Sequence, residues 1–154
     1  MFVTCQFRFD SAHYLTRYYG KCERVHGHTY RLEVTVDGTV QENGMVVDFV
    51  LLKRVIKKYV IAKLDHQLLN DVLENPSAER VIVWIWDKLS DITQLLIDEK
   101  KDLSFEQEVA VYLKQERNKD LDFGRVASLF DPSLRLYEVR LWETDNNFVT
   151  YRGI

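Results

Sequence analysis

The chain has 154 residues, a formal net charge of −3, 46% hydrophobic and 29% charged residues, which suits one ordered domain and gives no reason to expect general nucleic-acid binding, which usually needs a basic face. No run approaches the roughly 20 apolar residues of a membrane span, and the start MFVTCQFRFD lacks the basic end and apolar middle of a signal peptide. The two cysteines, Cys5 and Cys22, are therefore expected to be reduced thiols in a cytoplasmic protein, with Cys5 a small core residue.

Residues 2–9 are rich in aromatic and β-branched side chains and predict a first strand, followed by a polar loop from Asp10 to about Val25. Residues 29–37 alternate Tyr30, Leu32, Val34 and Val36 against Thr29, Arg31, Glu33 and Thr35, the period of a half-buried strand. Gly38 and Glu42-Asn43-Gly44 mark its turn. Asp48 is a candidate N-cap for a helix over about 49–63, with Leu51, Leu52, Val55, Ile56, Tyr59 and Val60 as the apolar stripe. Pro76-Ser77 opens a second helix over about 78–97, burying Val81, Ile82, Ile85, Trp86, Leu89 and Ile92. Residues 135–143 read as a strand, Asp145-Asn146-Asn147 as a tight turn, and 148–152 as the closing strand of a hairpin. The order ββααββ favours an α+β fold: an antiparallel sheet with two helices on one face. The stretch 98–134 fits that scheme poorly and reads as an insertion into a single domain spanning 1–154. Its acidic part, Asp98–Asp122, accounts for the net charge of −3. Ser104 and Gln107 resemble a capping box opening a short helix, with Phe105, Val109, Tyr112 and Leu113 on one side.

The chemistry concentrates in Cys22-Glu-Arg-Val-His26-Gly27-His28. Side chains two apart on a strand point the same way, so His26 and His28 project together, and Gly27 has no side chain to crowd a bound atom. Neutral imidazoles suit Zn²⁺, and His13 lies in a loop able to return to that point; three histidines with an open position describe a catalytic zinc site. From spacing alone a strand-edge coincidence is about as good a reading. Cys22 admits three readings: a fourth ligand, an inert thiol, or a thiolate activated by Arg17, Lys21 and Arg24. Asp65 beside His66 is able to fix a histidine tautomer, although adjacent Asp-His pairs are common. Glu143 shares parity with Tyr137, Val139 and Leu141, which places a carboxylate on an apolar strand face where it needs a partner; otherwise it is a strand-end residue reaching solvent.

Taken in order, Phe7-x-Phe9-x-Ser11-Ala12-His13, Cys22-x₃-His26-Gly27-His28, Gly44-Met45-Val46-Val47-Asp48-Phe49, Leu64-Asp65-His66-x₂-Leu69-Asn70, Pro76-Ser77-x-Glu79 and Glu143-Thr144 resemble the 6-pyruvoyl-tetrahydropterin synthase superfamily. The resemblance covers about 1–97 and 135–154. It implies the tunnelling fold, four antiparallel strands and two helices per subunit, closing into homo-oligomeric barrels, commonly hexamers (dimers of trimers), with active sites between subunits. It implies one Zn²⁺ on His13, His26 and His28, Cys22 as proton acceptor, and Asp65-His66 as its relay. Glu143 would anchor the pterin and is sometimes assigned to the relay, with Thr144, Ser77 and Glu79 among the substrate contacts. The three-residue gap after Cys22 resembles the 6-carboxytetrahydropterin synthase branch of the queuosine (7-deazapurine) pathway. That branch converts 7,8-dihydroneopterin triphosphate to 6-carboxy-5,6,7,8-tetrahydropterin, acetaldehyde and triphosphate. The alternatives are a 6-pyruvoyl-tetrahydropterin synthase, which eliminates triphosphate and keeps the side-chain carbons, and a non-catalytic zinc- or pterin-binding relative. Arg80 departs from the family's usual Pro-Thr-x-Glu-Asn and is able to alter the pocket or bind phosphate. The insertion is expected to be surface elaboration, with a lid or an oligomer contact as the other readings.

Overall fold

A computed structural model gives the structure of the chain and describes residues 1–117 and 129–153. Two long strands, β1 (Phe2–His13) and β2 (His26–Asp37), pair antiparallel along their whole length, from Phe2 opposite Asp37 to His13 opposite His26. β2 then pairs with β4 (Arg135–Trp142), and β4 with β5 (Phe148–Tyr151), both antiparallel. A two-residue strand, β3 (Gln67–Leu68), runs parallel to β1 at Ser11 and Ala12, so the sheet has five strands in the order β3-β1-β2-β4-β5. The expected four-strand sheet is thus corrected by one short strand. A segment of two residues carries no readable alternation, and only its tertiary neighbour makes it a strand.

Both early strands are longer than their apolar patterns suggest. Residues 10–13 were expected in a loop, yet they continue the β1–β2 ladder, with Ser11 and His13 buried on the core side. Cross-strand pairing with 26–29 satisfies their backbone groups, which polar side chains do not forbid. On β1 the residues Cys5 and Phe9 face inward, and on β2 Tyr30, Leu32, Val34 and Val36 do so. A bulge where Val36 meets Leu136 and Thr35 meets Glu138 leaves Tyr137 as the extra residue. Leu136, Val139 and Leu141 therefore reach the core. Tyr137 stacks on Phe2 outside the core, contrary to its expected parity, with ring centroids 4.1 Å apart.

Helix α1 (Phe49–Ile56) starts where Asp48 accepts hydrogen bonds from the N–H groups of Val50 and Leu51, a cap worth ~1 kcal/mol. It continues through a π turn (Lys57–Ile61) into α2 (Ala62–Leu64). Ile56, Val60 and Leu64 are all fully buried; their spacing of four and four drifts off an α-helical face, and the wider turn absorbs that drift. The second predicted helix is two. α3 (Ala78–Leu89), capped by Ser77, stops at Ser90, and α4 (Ile92–Lys100) begins after Asp91, whose carboxylate accepts from Gln94 N–H. The Ser90-Asp91 pair binds local backbone and supplies both a stop and a new cap.

Within the insertion, α5 (Leu103–Arg117) is entered from Asp102, which accepts from Ser104 N–H, rather than through a Ser104–Gln107 box. Phe105 is buried and Val109 half-buried; the side chains of Tyr112 and Leu113, and the acidic stretch beyond residue 117, lie outside the described residues. Buried Glu99 on α4 accepts from Arg54 Nε at 2.9 Å and Lys58 Nζ at 2.8 Å, while Arg54 also meets Glu108 on α5. At the far end Asp131, 3% exposed, accepts from Thr39 and Ser133 N–H, and Val47 bridges Phe130. These contacts stitch the insertion's ends to the helical layer and to the loop before α1.

Candidate metal centre

The last inward positions of β1 and the first of β2 are all histidine or serine, so the core gives way to a polar pocket at one end of the sheet. His13 is 1% exposed, and His26 and His28 are half-buried. One ligand nitrogen from each lies within 4.8 Å of the other two, the only such three-residue group among the described residues. Cys22 is outside that group, which leaves no support for a closed four-ligand site.

The hydrogen bonds fix which nitrogens face inward. His13 Nδ1 lies 2.8 Å from the carbonyl of Pro76, and His26 Nδ1 lies 2.8 Å from the carbonyl of Arg24. A carbonyl only accepts, so both Nδ1 atoms carry the proton and donate it. Both Nε2 atoms of the neutral rings are then bare, 3.1 Å apart, and their lone pairs repel unless a cation or proton sits between them. His28 Nε2 is buried without a hydrogen-bond partner. Burial lowers the His28 pKa, against an opposing pull from the Glu143 carboxylate; charge on His13 and His26 lowers it further. Neutral imidazoles tied outward by Nδ1 and converging through Nε2 are the donor set that Zn²⁺ takes. The residues fit the metal.

Three features sequence reasoning missed hold this geometry. The Asn70 amide clamps Tyr14, accepting from its N–H at 3.0 Å and donating to its carbonyl at 2.9 Å, just beyond His13. Asn75, in a left-handed conformation at φ 48°, accepts from Thr16 N–H and leads into the Pro76 carbonyl. Tyr30 is fully buried with its hydroxyl 3.5 Å from His13 Nδ1, and burial, helped by the Glu143 charge, pushes its phenol well above the ordinary range. Asn70 and Pro76 stand in the motifs quoted above, but nothing in their spacing says which backbone they bind. Gly27 also needs a different explanation. It alternates away from His26 and His28, and a Cβ there would meet the Ser11 carbonyl at 3.2 Å; its smallness serves strand approach rather than the bound atom.

Glu143 follows β4 on the inward side, its Oε1 3.6 Å from His13 Nε2 and 3.9 Å from His28 Nε2. A cleft of about 480 Å³ beside it is lined by Cys22, Ser77, Glu79 and Glu143 together with Tyr18 and Phe148. Asp65 and His66 are elsewhere. Asp65 Oδ1 lies 3.0 Å from His66 Nδ1 and accepts from Asp10 N–H, the larger of the influences that lower the Asp65 pKa. His66 adopts φ 57°, is 77% exposed, and lines a second cleft of about 580 Å³ with His28, Gly27 and Gln67. Thr144 points away from both clefts into a third, and its hydroxyl accepts from Asn147 N–H within the predicted turn. Arg80 donates to the Glu74 carbonyl at 3.0 Å, bracing the loop that carries Pro76. One chain therefore sets Cys22, Ser77, Glu79 and Glu143 in one cleft beside the three histidines, puts His66 in a second cleft that His28 also lines, and puts Thr144 in a third.

The sequence profile of the 6-pyruvoyl tetrahydropterin synthase family matches residues 2–119. The chain belongs to this family. It is 30% identical over 154 residues to the 6-carboxy-5,6,7,8-tetrahydropterin synthase of Haemophilus influenzae, covering 97% of each chain. It is 35% identical over 143 residues to the 6-pyruvoyl tetrahydrobiopterin synthase of Dictyostelium discoideum, covering 88% of this chain and 76% of that one. Among solved structures, Caenorhabditis elegans 6-pyruvoyl tetrahydropterin synthase superposes with a TM-score of 0.67 at 24% identity, covering 100% of this chain and 96% of the other. That likeness supports the tunnelling fold. Membership in a family of pterin-acting enzymes follows from the profile, and no helix among the described residues is long and apolar enough to cross a membrane.

Proposed function

We propose that the chain is a zinc-dependent lyase of the 6-carboxytetrahydropterin synthase type, acting in the cytoplasm on the queuosine (7-deazapurine) route. It converts 7,8-dihydroneopterin triphosphate and water to 6-carboxy-5,6,7,8-tetrahydropterin, acetaldehyde and triphosphate. The observation that carries this reading is the trio of imidazoles, two of them tied outward through Nδ1, opening beside a cleft that holds Cys22 and Glu143. The branch is favoured by the Cys22-x₃-His26 spacing and by the full-length likeness to the Haemophilus enzyme.

Zinc held by His13, His26 and His28 would supply Lewis-acid polarisation of the substrate's side-chain oxygens. In this reading Cys22 takes a proton from the substrate side chain as a thiolate and returns it. Glu143 accepts paired hydrogen bonds from the guanidine-like edge of the pterin, whose charge-assisted geometry fixes the ring. Ser77 and Glu79 line the same cleft as further substrate contacts, whereas Thr144 opens on another cleft. Asp65 holds the tautomer of His66, which passes protons to and from Cys22. Because Cys22 and Asp65-His66 open on different clefts of one chain, the relay closes between chains. The protein is accordingly a homo-oligomer, a hexamer built as a dimer of trimers with active sites between subunits. The sheet's two flanks support this: the edge of β1 facing away from β2, from Phe2 to Asp10, and the outer edge of β5 have no strand partner among the described residues.

The test is to incubate chelator-free protein with dihydroneopterin triphosphate and trap volatile aldehyde. Acetaldehyde together with the 6-carboxy product is expected. Triphosphate release without acetaldehyde would move the chain to the 6-pyruvoyl reaction, the reading that the Dictyostelium likeness favours. Zinc-loaded protein with no turnover, indistinguishable from Cys22→Ala, would leave a binding role.

A further inference from the structure

The helix-free face of the sheet carries charges that are mostly matched. Gln6 donates to Glu33, and Thr29 donates to Asp10. Glu138 pairs with Arg152 at 2.7 Å and with Arg140 at 2.6 Å, the latter too bent for a hydrogen bond but close enough for an ion pair. Arg8 and Arg31 are different. They stand directly opposite each other in the β1–β2 ladder, where like charges destabilise a sheet. Among the described residues neither lies within ion-pair distance of a carboxylate. The Arg31 guanidinium is laid over the Trp142 ring, its central carbon 3.8 Å from the centroid, and its Nε is buried without a hydrogen-bond partner. Trp142 is itself braced by Phe148, 5.0 Å away. Both arginines line a cleft of about 300 Å³ with Thr29, Trp142, Thr144 and Asp145.

We propose that this cleft binds a free oligophosphate anion, with Arg8 and Arg31 as its principal contacts. Stacking on Trp142 fixes the plane of one guanidinium, and a planar fork of N–H donors matches phosphate oxygens in pairs. An anion between the two arginines would offset their mutual repulsion and give the buried Nε–H an acceptor, two costs that nothing else described on this face relieves. The hydroxyls of Thr29 and Thr144 are at hand for further oxygens, whereas Asp145 at the rim disfavours a fully enclosed anion. The site is distinct from the pterin cleft: Glu143 faces the histidines, and Thr144, the next residue, faces this one.

Inorganic triphosphate is the probe, titrated into the full-length wild-type protein by calorimetry at low ionic strength and again at high salt. Saturable binding is expected that weakens with salt and falls at least about tenfold in Arg31→Gln and in Arg8→Gln, the size of losing a charge-assisted contact. Arg8 is exposed and its replacement leaves the Trp142 stack intact, so that variant remains informative should Arg31→Gln fold poorly. Triphosphate should also raise the thermal midpoint of the wild type more than that of Arg8→Gln. The KM for dihydroneopterin triphosphate should be the same in Arg8→Gln as in the wild type. A raised KM would mean that the substrate's own triphosphate tail occupies the cleft, which overturns a separate site. No binding at millimolar triphosphate, or equal binding by wild type and both variants, would overturn the proposal outright, and neither result bears on the acetaldehyde assay.

Discussion

His13 and His26 stand opposite each other at the last rung of the β1–β2 ladder, with their Nε2 atoms 3.1 Å apart and each Nδ1 proton committed to a backbone carbonyl. Two bare nitrogens at that separation make a geometry that a metal completes. Protein purified without chelator should contain about one zinc per chain, and His28→Ala should lose most of it. Metal analysis of both proteins checks this, and a zinc-free wild type that still turns over would contradict it.

Cys22 and Glu143 share a cleft beside the histidines, with Glu143 Oε1 3.6 Å from His13 Nε2, and neither belongs to the three-histidine group. Cys22→Ala and Glu143→Gln are therefore expected to keep zinc at the wild-type level while kcat/KM falls by roughly 100-fold or more, the usual worth of a general acid-base group for Cys22 and of paired charge-assisted hydrogen bonds to the pterin for Glu143. Zinc content measured beside steady-state kinetics separates this outcome from simple loss of the metal.

The Asn70 clamp on Tyr14 sets where β1 ends and so where His13 points. Asn70→Ala removes both hydrogen bonds and should destabilise the fold by ~1–3 kcal/mol in urea unfolding. Its zinc affinity, read by competition with a chromophoric chelator, should drop by about 10-fold or more, as when an outer-shell support is lost.

Glu99 is 3% exposed but its partners are not: Arg54 is 28% exposed and Lys58 50%. Breaking a buried pair costs several kcal/mol when a charge is stranded. Here both cations are able to reach water, so Glu99→Ala should cost the smaller sum of ~1–3 kcal/mol of lost charge-assisted bonds. It should also loosen α5 from α1. Urea unfolding gives the first quantity, and hydrogen exchange along α5 the second.

Asp131 accepts from the N–H of Thr39 and of Ser133, and these bonds hold its carboxyl below the usual range. A depressed folded pKa means stabilisation that is complete above the unfolded value of about 3.9 and lost as pH falls through the lower folded value. Asp131→Asn should therefore flatten the acid limb of the stability curve below about pH 4 and lower stability at neutral pH. Unfolding curves recorded between acid and neutral pH test both.

Much of the architecture was legible in the chain. The alternation of Tyr30, Leu32, Val34 and Val36 gave β2 its buried face, and the Asp48 and Ser77 caps marked two helix starts. Those signals are local: a side chain of the right chemistry at the right spacing, satisfying the backbone beside it. The ordered motifs likewise carried the histidines, Cys22 and Glu143 into one hypothesis. Local signals failed where a long-range partner decided the outcome. Residues 10–13 look like loop but pair with 26–29, and β3 exists only because it lies along Ser11 and Ala12. Tyr137 has the parity of the core yet leaves it, because a bulge against β2 resets the alternation.

By itself, then, the sequence determined which residues are candidates for a metal and a pterin site, because histidine, cysteine and carboxylate chemistry is intrinsic to the side chain. Tertiary structure alone decided how they are placed. It tied His13 Nδ1 to Pro76, sixty-three positions away, left Cys22 outside the three-histidine group, and put His66 on a different cleft from Cys22. The reason is that a tautomer or a line of approach depends on the atom at the other end of the hydrogen bond, and the fold chooses that atom from distant parts of the chain.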